Sequence, residues 1–291
     1  MIKFISWAFG ITLGIAALSA HSYASDRIHL DVYVADTNSF CVTSTLISGE
    51  REAILIDVQF RKSEAVKLAD RITASGKQLK AIIISHPDDD HYLCMDVLHQ
   101  RFPNTPIYMS AAALKEFNRT SMKYFKMMKS YSPTETPDSL ITPEVLPTTH
   151  FLVDGEKVEV ITDQQGDTWA PSNSYFWIPS LNAVIAGDIV FNGVHPWLAN
   201  SNRRSRSGWL ASLDQLEALH PQTVVAGHKR DDKTPDSPDV IAATRRYIKE
   251  FDDNMDLAEG SDDLIARMKH DFPALSLPGI LARSAKIAIP D

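Results

Sequence analysis

Three short apolar stretches rich in β-branched residues, Ile28 to Val34, Val42 to Ile47 and Ala53 to Val58, predict strands, and the Ser48-Gly49-Glu50 break between the last two predicts a hairpin connection. Over residues 62 to 75 the apolar positions Ala65, Val66, Leu68, Ala69 and Ile72 take a helical spacing, and Gly76 supplies the stop. Ala81 to Ile84 is continuously apolar, the pattern of a strand covered on both faces by other layers. That strand ends at Ser85 and runs directly into His86-Pro87-Asp88-Asp89-Asp90-His91. The polar side chains therefore fall at the carboxyl end of a strand, where α/β sheets place ligands.

A helix is predicted from Ser110 to Lys129, after which Pro133, Pro137, Pro143 and Pro147 mark an irregular connection, either a cover over a site or a surface loop. Strand patterns resume at Val158 to Ile161, Ser174 to Ile178 and Ala183 to Ile185. A helix follows over Trp209 to Leu219, then a strand at Thr223 to Ala226 and a last helical region from Pro238 to Met255. Strands followed by helices occur twice, so the expected class is α/β, with two β-α halves packed as a four-layer αββα sandwich.

The first residues stand outside this pattern. Lys3, the apolar run from Phe4 to Leu18 and the small residues around Tyr23 form a secretory leader, with cleavage expected after Ala24. The run is short for a membrane span and no later stretch is longer, so a periplasmic or secreted protein without a stable membrane anchor is expected. Residues 25–291 then form a single domain. The net charge of −8 becomes −9 once Lys3 is lost, which disfavours nucleic acid as a partner. Arg203-Arg204-Ser205-Arg206 is too short to oppose this and is expected to be a solvated loop. Cys41 and Cys94 are the only cysteines; a disulfide is open to them in an oxidising compartment, with buried thiols as the default.

Two imidazoles and three carboxylates within six residues repel one another unless a cation is bound, although Pro87-Asp88-Asp89 alone would also suit a solvated acidic turn. Three later segments repeat the design of a candidate ligand preceded by glycine: Asp167 after Gly166, Asp188 after Gly187 and His228 after Gly227. Asp163 competes with Asp167 for the first of these roles.

With these residues in place the chain resembles the metallo-β-lactamase superfamily over roughly residues 28 to 230. The family's signature is HxHxDH, a distant His, an Asp after glycine and a final His. The resemblance implies a first metal site of His86, Asp88 and Asp167, a second of Asp90, His91 and His228, and Asp188 bridging the two. Ala53 to Asp57 resembles the family's early strand ending in Asp, and Gly187 to Phe191 its GDxxF segment. Asp88 and Asp167 depart from the pattern, standing where the family has histidines. Oxygen in place of nitrogen shifts preference from zinc towards manganese or iron and weakens occupancy. Two divalent ions, zinc foremost, are expected, with manganese or iron open at the carboxylate-rich site.

Two bridged ions would activate a shared water as hydroxide, oriented by Asp90, against an ester, lactone, thioester or amide of a small-molecule substrate. Two other functions compete: an iron-containing redox or oxygen-handling protein, and a metal- or ligand-binding module without turnover. Among residues with weaker claims, His195 is read as either a substrate contact or proton donor or a loop cap. Trp169, Tyr92 and Trp197 are read as cavity walls or core, and His150 as a surface residue.

Overall fold

The structure, a computed structural model, describes residues 28–290; the leader read in residues 1–24 lies outside the described residues. Two sheets face each other, and helices cover the outer face of each. The first sheet has the order β1 (His29–Val34), β2 (Thr43–Ser48), β3 (Glu52–Ile56), β4 (Gln78–Ile84), β5 (Ile107–Met109) and β6 (Glu144–Val145). β1 to β3 form an antiparallel meander, while β3, β4, β5 and β6 run parallel. The second sheet contains β7 (His150–Val153), β8 (Glu156–Gln164), β9 (Asn173–Ile178), β10 (Ala183–Ile185) and β12 (Thr223–Val225), in the order β12-β10-β9-β8-β7. A two-stranded ribbon of β11 (Phe191–Asn192) and β13 (His228–Lys229) stands beside it.

Period-two alternation explains the layers. In β4, Ala81 and Ile83 join Ile54 and Ile56 of β3 against Val158, Val160, Phe176, Ile178 and Ile185 of the second sheet. Ile82 and Ile84, pointing the other way, pack with Leu68, Ala69 and Ile72 of α1 (Lys62–Ser75). From Ala81 to Ile84 both faces of the strand are dry, and that is why this run shows no polar alternation, whereas Gln78 and Lys80 before it are exposed. The same outer face carries α2 (Asp89–Tyr92), α3 (Met95–Arg101) and α4 (Ala111–Tyr131). The opposite face of the sandwich is covered by α5 (Arg203–Ala218), α6 (Asp239–Leu257), α7 (Ser261–Asp271) and α8 (Pro278–Ala288). No helix among the described residues is long and apolar enough to cross a membrane.

One expectation is corrected and one pair of alternatives is decided. Arg203 to Arg206 is not a solvated loop: it forms the first turn of α5, started by a capping box in which the Asn202 side chain accepts from Arg204 N and Ser205 N. Arg206 is buried there and paired with Asp252. The proline-marked connection from 133 to 147 is a surface connection that adds β6 to the sheet edge, and it contributes nothing to the cavity described below. Cys41 and Cys94 are buried free thiols that belong to different cores, one on each side of the sandwich.

Candidate metal centre

Every candidate ligand leaves the sandwich at the same edge. His86 and Asp88 follow β4, Asp90 and His91 lie in the single turn of α2, Asp167 sits in the loop before β9, Asp188 follows β10 and His228 opens β13. Glycines let these loops crowd together. A side chain at Gly227 would put its Cβ 1.9 Å from Asp188 Oδ1, and Gly187, at φ +51°, already lies against Ser85.

The seven side chains converge into three overlapping clusters whose ligand atoms lie within 4.8 Å of one another: His86-Asp88-Asp167, His86-His91-Asp188 and Asp90-His91-His228. Asp188 is central, with Oδ1 3.1 Å from His91 Nε2 and Oδ2 3.1 Å from His228 Nε2 and 3.9 Å from His86 Nε2. Asp90 Oδ2 lies 3.3 Å from His228 Nε2, and Asp167 Oδ1 is 4.0 Å from His86 Nε2. Asp163 is exposed and bonds only to its neighbour Thr162, so the choice between it and Asp167 falls to Asp167. His150 lies exposed on β7, as expected.

Hydrogen bonds behind the imidazoles dictate which nitrogen faces the cluster. His228 Nδ1–H donates to the Phe40 carbonyl at 2.7 Å, and His91 Nδ1–H to Asp57 Oδ2 at 2.9 Å. The Ser85 hydroxyl donates to Asp57 Oδ2 at 2.7 Å and therefore accepts from His86 Nδ1–H at 2.9 Å. All three rings thus present Nε2 lone pairs to one region, two of them only 3.3 Å apart. His86 Nε2, Asp167 Oδ1 and Asp188 Oδ1 are buried without a hydrogen-bond partner. Each such orphan costs about 1–3 kcal/mol, and a cation among them removes the cost. This donor set fits a pair of divalent ions.

Burial pushes the Asp88 carboxyl up from 3.8 to about 8, assisted by Asp90 and Asp188, and burial with Asp88 and Asp188 lifts Asp167 well above the carboxylate range. On the other side burial opposes ionisation, yet His228, His91 and His86 hold Asp188 well below that range. His228 rises to about 10 against its own burial because Asp188 and Asp90 face it. Burial and the neighbouring His91 depress His86 to about 4. The crowded carboxyls of Asp88 and Asp167 are thus shifted towards the protonated form, while the imidazoles around Asp188 favour its ionised form.

The cluster floors a cavity of about 450 Å³. Phe40, Phe191, Trp197, Met127 of α4, and Ile280 and Ile287 of α8 supply apolar wall, and Lys123 and Arg283 stand on the same two helices. His195 lines it too, whereas Tyr92 is core, edge-on to Phe117, and Trp169 stands 56% exposed on an adjoining groove. The residues that sequence reasoning missed are Asp57 and Ser85 as supports, the Phe40 carbonyl, and the cavity face of α8. Asp57 was marked in the sequence only as the end of a family-like strand, with no role given, and α8 carried an apolar-periodic run with Pro278 in its first turn.

A sandwich of two helix-covered sheets with a carboxylate–imidazole cluster at one edge defines an αββα protein with a site suited to two metal ions. The chain belongs to the metallo-beta-lactamase superfamily, whose family model matches residues 40–228, more than half of its length. A metallo-beta-lactamase family protein from Thermus thermophilus shares the fold at a TM-score of 0.63 and 17% identity, over 90% of this chain and 91% of that one. A metallo-beta-lactamase from Pontibacter korlensis matches at 0.53 and 18%, over 77% and 95%, and the DIM-1 metallo-beta-lactamase at 0.51 and 16%, over 77% and 94%. No curated protein matches the sequence.

Proposed function

We propose that the protein is an exported two-metal hydrolase acting on an ester, lactone, thioester or amide. The observation that carries this reading is the convergence of three imidazole Nε2 atoms and the unpartnered carboxylate oxygens of Asp167 and Asp188 on the floor of an open, partly apolar cavity. His86, Asp88 and Asp167 would hold one ion, Asp90, His91 and His228 the other, with Asp188 between them. Zinc suits the imidazole-rich half; oxygen donors at Asp88 and Asp167 favour manganese or iron in the other. When bound, such ions supply an acidified water and polarise a substrate oxygen. The chain's own part is to fix that geometry: Asp57 and Ser85 lock the rings, Asp188 keeps the ligand sets together, and Asp90 faces the cavity as acceptor for a water proton.

The walls support a narrower substrate class. Lys123 and Arg283 line the cavity and make no hydrogen bond or ion pair with the described residues, so a substrate joining an apolar arm to an anionic group suits them. The test is a panel of 4-nitrophenyl esters, lactones and β-lactams on the zinc- and manganese-loaded mature protein, with neutral and carboxylate-bearing members of equal size. Metal-dependent cleavage with a preference for the anionic members is expected. Absence of any cleavage contradicts the hydrolytic reading, and cleavage without preference contradicts only the role of Lys123 and Arg283. Export rests on the Lys3 to Ala24 pattern, and intact mass of the secreted chain should start at Ser25; retention of Met1 would contradict it.

A further inference from the structure

His195 lies outside the metal cluster and none of the residues assigned to it needs this side chain. The residue is 2% exposed, yet it lines the cavity whose floor is that cluster. The segment that carries it is pinned: His195 N–H donates to Ser276 O at 3.0 Å and Ser276 N–H donates to Gly193 O at 3.0 Å. Behind the ring, the hydroxyl of Tyr247 meets Nδ1 at 3.0 Å, with the two rings edge-on.

The direction of that hydrogen bond follows from what else the tyrosine can reach. Tyr247 is buried and its hydroxyl has no other partner among the described residues. If Nδ1 carried the proton, the phenolic hydrogen would be left without an acceptor, at about 1–3 kcal/mol. Tyr247 O–H therefore donates to Nδ1, and the proton of the ring sits on Nε2. Nε2 makes no hydrogen bond with the described residues, and it is not among the sealed polar atoms that lack one, so it opens on the cavity. The ring is also neutral: burial, reinforced by Lys269, lowers His195 from 6.5 to about 4.

We propose that His195 is a catalytic hydrogen-bond donor, its Nε2–H held towards the cavity by Tyr247 to bind the carbonyl oxygen of the substrate. This rests on the hydrolytic reading above. As a nucleophilic oxygen bonds to the carbonyl carbon, the π electron pair moves onto the carbonyl oxygen, and the donor strengthens its hold as that charge grows. No proton is transferred in this step, so a neutral ring that stays neutral suits it. Tyr247 does not reach the substrate and is a positioning residue. The implied substrates carry an uncharged carbonyl, which favours esters, lactones, thioesters and amides over phosphate esters, whose charged oxygens call for a cation instead.

Two measurements on the metal-loaded mature protein test it. Nitrogen-15 spectra of histidine-labelled protein, with His195 assigned by its loss in His195→Gln, are expected to show a neutral ring protonated at Nε2, and Tyr247→Phe should lose that preference. In kinetics with the best 4-nitrophenyl ester of the panel, His195→Leu should lower kcat/KM by about 10²–10³-fold at unchanged metal content. His195→Gln, whose amide N–H reaches to about the same point, should recover most of it, and Tyr247→Phe should cost about tenfold. A ring protonated at Nδ1, wild-type kcat/KM in His195→Leu, or a Gln variant no better than Leu would overturn the assignment. A wild type that cleaves nothing overturns the hydrolytic reading and with it the catalytic role, while the spectra still decide the tautomer.

Discussion

Replacing Asp57 by Ala would strip the acceptor from three buried donors at once. Ser85 N–H and the Ser85 hydroxyl donate to it at 2.7 Å, and His91 Nδ1–H at 2.9 Å. The residue is 3% exposed and held at φ +60°, a left-handed conformation that turns the carboxylate back under the metal cluster. At about 1–3 kcal/mol for each orphaned donor the loss is about 2–6 kcal/mol from the two N–H groups, since the Ser85 hydroxyl can turn to other partners. That is a large part of an ordinary domain's stability. Asp57→Asn is the more informative variant. Its one oxygen can still accept from Ser85 N–H, but its amide faces the His91 ring as a donor and drives the ring proton to Nε2, where a lone pair is needed for metal. The protein should therefore fold while zinc affinity falls about 10–100-fold. Urea unfolding with chelator present measures the first effect, and zinc competition against a chromophoric chelator the second. An Asp57→Asn protein with wild-type zinc affinity would refute the reasoning, as would an Asp57→Ala protein with an unchanged urea midpoint.

Stability of the chelated protein should fall as pH rises from about 6.5 to about 8.5, because both relevant shifts share a sign. His228 is raised from 6.5 to about 10 and Asp88 from 3.8 to about 8, so the folded chain binds protons in this window that the unfolded chain has released, and their stabilisation is lost as pH climbs through the folded values. Zinc displaces those protons, so its stabilising effect should grow over the same range; urea midpoints with and without zinc check both, and a metal-free midpoint that rises with pH would contradict them. The double change Asp88→His with Asp167→His should tighten the weaker zinc equivalent seen by calorimetry, provided the larger rings find hydrogen-bond partners, and an unchanged titration would argue that these aspartates are not ligands. His150→Ala, on exposed β7, should alter neither zinc binding nor turnover.

The layered fold was legible because its central strands carry runs buried on both faces. The unbroken Ala81 to Ile84 run marks a strand between two layers, and the helix that follows β3 declares itself by Ala65, Leu68, Ala69 and Ile72. The candidate ligands were legible because four lie in the HPDDDH run directly after a strand and the other three each follow a glycine. What supports them was not. The acceptor that orients His228 is a backbone carbonyl at Phe40, 188 residues away, and a carbonyl has no sequence signature. Arg203 to Arg206 misled because charge was weighed without the Asn202 cap before it or the distant Asp252 that receives Arg206. His195 could be noticed in the sequence, but its direction depends on Tyr247, 52 residues on, in a helix whose packing only the fold reveals.

The central claim is that seven side chains hold two ions with Asp188 between them, and zinc stoichiometry by native mass spectrometry tests it most directly. With zinc in excess, the wild-type chain should carry two equivalents, one tighter than the other, and Asp188→Ala should fail to hold the pair at the same concentration. A wild-type chain that takes up no zinc, manganese or iron, or an Asp188→Ala chain that still carries two equivalents, would contradict the account.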